Sequence, residues 1–206
     1  MAVFKCIAIS LLALIFVLVC GAPVQAQQGN SVEAVIKSMG LSKPAIMRAP
    51  EFTLREAGGG TSSLVDYRGN LVLVNFWATW CAPCREEMPS MERLQGNFGG
   101  RGLTVLAVNE RENAAEVNKF LRATGLSFVA PLDLDGRVAE SFRIYGIPST
   151  FLIDANGQTI GLKSGPKDWA TREVMDGIGK LIGDGRRGSI PVRVNLAPVA
   201  IGTLND

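Results

Sequence analysis

The sequence predicts an α/β fold: a mixed central β-sheet flanked by helices on both faces, with an N-terminal hairpin extension. Three observations carry this. Leu71-Val72-Leu73-Val74-Asn75-Phe76 and Leu103-Thr104-Val105-Leu106-Ala107-Val108 are nearly continuous apolar runs, the pattern of strands buried on both faces. Helical spacing follows each run, with Met88, Met91, Leu94 and Phe98 on one face of the first helix and Val117, Phe120 and Leu121 on one face of the second. Ala155-Asn156-Gly157 then sits between extended runs at 150–154 and 158–163, a strong hairpin signal. Buried strands joined by helices must run parallel, whereas the terminal hairpin is antiparallel, so the sheet is mixed.

At the N-terminus, Lys5 precedes an apolar run from Cys6 to Cys20 broken only by Ser10, followed by Gly21-Ala22-Pro23-Val24-Gln25-Ala26. This predicts a signal peptide over 1–26, because the apolar core is short for a membrane span; the alternative is an uncleaved N-terminal anchor. Cys20 suggests lipid attachment, but Val19 stands where a small residue is expected. Residues 27–48 form an N-terminal extension, with Ser31 as cap of a short helix that carries Val32, Val35, Ile36 and Met39 and stops at Gly40. Residues 49–184 suit one domain with its own core.

That domain opens with an extended lead-in, Ala49-Pro50-Glu51-Phe52-Thr53-Leu54, and a hairpin of 52–55 with 61–64 turning at Gly58-Gly59-Gly60. Asn113 and Glu116 have capping-box spacing for the second helix. A short extended piece at 128–132 leads to a helix-like stretch with Val138, Phe142 and Tyr145. Asp168 is the expected cap of the last helix, which buries Ala170, Val174, Ile178, Leu181 and Ile182. Residues 185–206 form a tail with a strand-like run at 192–196.

The chain has 21 basic and 19 acidic residues and no histidine. With no basic stripe, nucleic acid is not an expected partner. The missing histidine excludes His-based zinc and copper sites and any Ser-His-Asp or Cys-His catalytic pair. Loss of the signal would remove Cys6 and Cys20 and leave only Cys81 and Cys84. A bridge across so short a loop constrains the unfolded chain little, so a pair retained in an oxidising compartment points to chemistry.

Trp80-Cys81-Ala82-Pro83-Cys84 lies between a strand and a helix. Unpaired N–H groups and the helix dipole favour negative charge at that helix start, which stabilises the nucleophilic thiolate. Two intervening residues let Cys84 close a disulfide within the first turn. Cys81 is the expected exposed attacker and Cys84 the shielded resolving thiol. Pro83 suits the first turn, where its missing N–H costs little. A lone Cys-x-x-Cys also occurs as half of a zinc knuckle, but this chain has no second pair and no histidine, so no metal site is expected. Glu87, three residues after Cys84, shares its helical face, while Arg85 and Glu86 read as solvated surface charges.

The segment Asn75-Phe76-Trp77-Ala78-Thr79-Trp80-Cys81-Ala82-Pro83-Cys84-Arg85-Glu86-Glu87-Met88-Pro89, with Gly146-Ile147-Pro148-Ser149-Thr150-Phe151-Leu152-Ile153-Asp154, resembles the TlpA/ResA-like branch of the thioredoxin superfamily. The likeness runs from about Ala49 to Ile182 and leaves out the tail. It implies a thioredoxin-like fold and a thiol–disulfide oxidoreductase acting through Cys81 and Cys84, with no cofactor beyond their redox-active disulfide. It also implies a cis bond before Pro148, which frees the backbone of Ile147 to bond an incoming peptide, and a glutamate, Glu87, that exchanges protons with the cysteines. Near apolar side chains that carboxyl would have a raised pKa. Asn75 stands where cytosolic-type thioredoxins carry a buried Asp, so that relay is absent. Trp77 reads as core and Trp80, with Ala82 and Pro83, as client-docking surface. Met88 and Met91 read as core.

Histidine between the cysteines marks the superfamily's oxidants and isomerases. Ala82-Pro83 offers none, so a reductase of disulfide-containing clients is expected rather than an oxidase or isomerase. The resemblance further implies a periplasmic or outer-face location, a membrane thiol–disulfide electron donor, and clients in cytochrome c or copper-site maturation. A peroxiredoxin would need Pro-x-x-x-Thr-x-x-Cys, but positions 74 and 78 are Val and Ala. A copper chaperone would need a histidine. A non-catalytic binding module would not need both cysteines.

Overall fold

The computed structural model describes residues 25–183. The signal and lipid-attachment readings over most of the leader, and the strand-like run in the tail, lie outside them. Helix α1 (Gln25–Ser38) leads into a two-stranded antiparallel hairpin, β1 (Thr53–Arg55) and β2 (Thr61–Ser63), followed by a 3₁₀ turn at Leu64–Tyr67. The main sheet and its helices then alternate: β3 (Leu71–Trp77), α2 (Ala82–Phe98), β4 (Leu103–Glu110), α3 (Ala114–Thr124), β5 (Leu132–Asp133), α4 (Arg137–Ser141), β6 (Ser149–Ile153), β7 (Thr159–Ser164) and α5 (Arg172–Gly183).

Strand order is β5-β4-β3-β6-β7, with β3, β4 and β5 parallel and β6 and β7 antiparallel to their neighbours. The mixed sheet expected from the apolar runs is therefore present. All seven residues of β3 are buried, and alternation divides them between two cores. Leu71, Leu73 and Trp77 pack on one face with Met88, Met91, Leu94, Val117, Val174 and Ile178. Val72, Val74 and Phe76 pack on the other with Phe52, Leu64, Phe142 and Phe151. Helices cover both faces unevenly: α1, α2, α3 and α5 contribute to the first core, and short α4 to the second. An aromatic cluster fills the helix-poor face, Phe142 lying 5.1 Å from Phe151 and 5.2 Å from Phe76 between ring centroids.

Four local expectations change. The described part of helix α1 already runs from Gln25, so Ser31 lies inside it and is not its cap. Asp168 does not cap the last helix: its carboxylate accepts from Ala170 N at 2.8 Å, a turn upstream, and Thr171 Oγ1 receives Val174 N at 3.4 Å. Ala170 consequently precedes the helix, and Trp169, fully buried, supplies the apolar contact there. The helix-like stretch expected to include Phe142 and Tyr145 is shorter: α4 ends at Ser141, the chain turns at Arg143, φ 54°, and Tyr145 is 97% exposed.

The α3 capping box is present as spaced. Asn113 Oδ1 accepts from Ala115 N at 2.9 Å and Glu116 N at 3.1 Å, while Glu116 Oε2 accepts from Asn113 N at 3.2 Å. We predict that Asn113→Ala lowers unfolding free energy by about 1 kcal/mol in urea titrations; an unchanged midpoint would show that the box adds nothing.

The chain before Ala49 is joined to the sheet. Ser42 exchanges two backbone bonds of 2.9 Å with Leu162, Thr159 N donates to Met47 O at 3.0 Å, and Ala49 N donates to Gly157 O at 3.0 Å. Residues 42–49 thus run along the outer side of β7.

Candidate active site

Cys81 is the N-cap of α2 and is disulfide-bonded to Cys84, with their Cα atoms 5.3 Å apart. Its Sγ accepts from Cys84 N at 3.3 Å, so a helix-terminal N–H already points at the sulfur that would carry charge when reduced. Ala82 and Pro83 are exposed at the helix start and Trp80 is 69% exposed beside them. One expectation needs correcting. Cys81 is only 5% exposed and Cys84 not at all, so Cys81 is the more accessible of two buried sulfurs and not an openly exposed one. The loop before it is pinned from two sides. Glu112 Oε2 accepts from Thr79 N and from Asn109 Nδ2, both at 2.7 Å, and Thr79 Oγ1 donates to Glu112 Oε1. Arg85 Nη1 donates to Thr79 O at 3.3 Å.

Glu87 is 97% removed from solvent by the packing of α2 on the sheet, whereas Glu86 is exposed, as the helical facing requires. Three donors meet its carboxylate. Asn75 Nδ2 reaches Oε1 at 2.9 Å; Lys167 N and Trp169 Nε1 reach Oε2 at 3.0 and 3.2 Å. Burial pushes the carboxyl from its ordinary 4.5 up to about 7, and the bonds from Trp169, Lys167 and Asn75 together with the Lys163 charge restrain the rise. We predict that Trp169→Phe, which deletes the indole donor, raises this pKa further; carboxyl ¹³C titration of the variant reads it, and a midpoint that stays or falls would contradict the assignment.

Lys167 and Trp169 were not legible as site residues, since they lie 80 and 82 positions from Glu87. The one available signal was a lone Trp just ahead of the last helix. Ser90 Oγ also accepts from Trp169 N at 2.9 Å, so three hydrogen bonds tie this loop to α2, at Glu87 and Ser90. Glu112 was missed for the same reason, being 33 positions from Thr79.

The Ile147–Pro148 peptide is cis. Register places it at the end of β3 from which the Cys81 loop departs, because Ser149 pairs with Phe76. Pro148 is buried and Ile147 half-buried. An open groove of about 540 Å³ adjoins them, lined by Ile46, Ile144, Tyr145, Ile147, Pro148 and Leu162 among others. Trp77 is core, its indole donating to Ala107 O at 3.0 Å, and Met88 and Met91 are buried with it.

Strand order, helix placement and a disulfide opening the helix after β3 define a thioredoxin-like α/β domain. The AhpC/TSA family model matches residues 47–160, and the chain belongs to that family. It is 42% identical over 110 residues to thiol-disulfide oxidoreductase ResA of Geobacillus kaustophilus (strain HTA426), covering 53% of this chain and 63% of that one. It is 35% identical over 117 residues to ResA of Bacillus subtilis (strain 168), covering 57% and 65%. The chain thus spans just under two thirds of the length of these relatives. A solved thiol:disulfide interchange protein of the thioredoxin family from Chlorobium tepidum TLS superposes with a TM-score of 0.58 at 29% identity, covering 67% of this chain and 100% of that one.

Proposed function

We propose that this chain is a thiol–disulfide oxidoreductase that reduces disulfides of client proteins outside the cytoplasm. The observation that carries the reading is the Cys81–Cys84 bridge at the start of α2, with a helix N–H directed at Cys81 Sγ. In the reduced protein the Cys81 thiolate attacks one sulfur of a client disulfide. The client S–S bond breaks, a Cys81–client bond forms, and the departing client thiolate takes a proton from water. Glu87 accepts the Cys84 proton, and the Cys84 thiolate attacks Cys81 Sγ, releasing the second client thiol. Two electrons pass to the client, and the chain is left in the bridged form. In this reading the electrons come from the two thiols alone, and Glu87 handles the proton.

The roles of the remaining residues follow from place. Exposed Trp80, Ala82 and Pro83 with Ile147 and Pro148 form the docking edge, and the adjoining groove suits apolar client side chains. An external dithiol, in this reading a membrane thiol carrier, restores the reduced pair. Apocytochrome c or a copper-site protein is the proposed client class. The apolar run from Cys6 to Cys20, read as an export signal, supports the location; among the described residues no helix is long and apolar enough to cross a membrane. Reduction is preferred over oxidation because Ala82-Pro83 places no histidine beside the thiolate.

The test is a trap. Cys84→Ser leaves Cys81 unable to be resolved, so mixed disulfides with clients accumulate and are released by dithiothreitol. Mass spectrometry of envelope fractions is expected to identify cysteine-containing partners. If the trap holds none, the reductase reading fails. A midpoint potential near that of strong oxidants would reverse the direction.

A further inference from the structure

Strand β7 carries a charge onto the face where Glu87 lies. Thr150 pairs with Asn75 on one side and with Lys163 on the other, so the three form a row across β3, β6 and β7. Asn75 Nδ2 donates to Glu87 Oε1 and to Thr150 Oγ1, both at 2.9 Å, which sets this row on the face covered by α2. Alternation along β7 agrees. Leu162 packs into the opposite core with Phe142 and Phe151, whereas a Cβ on Gly161 would meet Leu41 and Ile36 of the α2-side core. Lys163 therefore lies on the Glu87 side of the sheet. Two strand spacings, about 10 Å, separate its backbone from that of Asn75, a gap its four-carbon stem spans in large part.

The other charges near Glu87 are few. Strands β3 and β6 offer it the uncharged Asn75 and Thr150. On α2, Arg85 and Glu86 are exposed, and Cys84 is uncharged in the bridged form. Glu33 and Lys37 on α1 are exposed, as are Arg172 and Glu173 in the first turn of α5. In the loop after β7, Asp168 is exposed and lies 3.8 Å from Arg93. Lys167 gives Glu87 its backbone N–H, while its ammonium lies 5.9 Å from the Trp169 ring centroid. Lys163 is half-buried and forms no ion pair among the described residues. Burial and then the Lys163 charge hold the Lys167 ammonium below its ordinary range, so the two lysines share one neighbourhood. A half-buried ammonium without a salt bridge, beside a buried carboxyl, favours the ionised carboxylate.

We propose that Lys163 is a positioning residue that holds Glu87 ionised, so that the carboxylate can take the proton of Cys84. The inference rests on Glu87 as the proton partner of the cysteines and adds the group that keeps it usable. A protonated Glu87 cannot act as a base. Burial favours that form and pushes the carboxyl up to about 7, so that about half the molecules carry the charge at neutral pH. Three uncharged donors restrain the rise, and Lys163 is the one ionic influence beside them. Without it the ionised fraction shrinks, and resolution by Cys84 slows at neutral pH.

The test is a charge series at position 163 in the full chain: Lys163→Arg, Lys163→Met and Lys163→Glu. The Glu87 midpoint is read in the oxidised form with ¹³C-carboxyl glutamate, its signal assigned by its loss in Glu87→Gln. It should stay within about 0.2 pH units in Lys163→Arg, rise by about half a unit in Lys163→Met, and rise further in Lys163→Glu. Resolution is read as release of the second thiol from a model disulfide by the reduced protein. Lys163→Met is expected to lose about twofold at pH 7 and to close the deficit as pH rises, whereas Lys163→Arg keeps the wild-type profile. A purely structural role would lower the rate at every pH. A Glu87 midpoint that ignores the charge at 163, or that moves equally in Lys163→Arg and Lys163→Met, overturns the proposal. The proton-partner reading fails separately: a midpoint that follows the series while the rate profile stays fixed would keep Lys163 as the holder of the charge and remove Glu87 from the exchange.

Discussion

Cys81→Ser is expected to slow reduction of a model disulfide by at least about a thousandfold, because a serine hydroxyl is not ionised near neutrality and cannot form the mixed disulfide. The fold should survive. Position 81 is a helix N-cap whose side chain accepts Cys84 N, a place serine fills well. The proper reference is the reduced wild type. Loop closure by so short a bridge contributes about 2 kcal/mol in the chain-entropy picture, and that contribution is absent from both proteins. Loss of turnover with an unchanged reduced-state unfolding curve supports the attacker assignment. Retained biological activity would give the site to the non-catalytic binding reading.

Glu87→Gln should act on rate and on stability, with opposite signs. A group that accepts a proton from a buried thiol is worth about a hundredfold or more, so exchange at neutral pH should fall by about that factor and the inflection near 7 should vanish from the pH–rate profile. For stability, the folded pKa lies above the ordinary 4.5, so the folded state binds the proton more tightly than the unfolded chain does. Stability from this group is fully present below about 4.5 and is lost as pH rises through about 7. The loss reaches about 3 kcal/mol. Wild-type unfolding free energy should therefore drop between these limits by more than that of Glu87→Gln, read from denaturant titrations at both ends. Parallel pH dependence in the two proteins would contradict the elevated pKa.

What could be read from residues alone followed contact range. The β3 and β4 strands announced themselves by apolar runs, and the α3 cap by a three-residue spacing, because both depend on near neighbours. Cys81, Cys84 and Glu87 were legible for the same reason, as they share one helix end. The cradle around Glu87 was not. Lys167 and Trp169 arrive from a loop some 80 positions away, and Lys167 contributes a backbone N–H that no side-chain pattern can signal. Tyr145 misled because apolar spacing continued past the end of α4, where the Arg143 turn redirects the chain. Glu112 holds Thr79, two residues before Cys81, through a contact between two loops that no local spacing signals.

The segment at 42–49 alters what counts as the working unit. β7 is an outermost strand, and its free side would present unpaired N–H and C=O groups, a template on which a second chain could add. Ser42, Met47 and Ala49 occupy that side with their own backbone bonds. The extension therefore pairs part of an edge on which a second chain could otherwise add. A version trimmed to the 47–160 family match would keep the cysteines but lose Ser42, most of β7 and α5, leaving β6 as the outermost complete strand. Its tendency would be to aggregate before its chemistry could be measured.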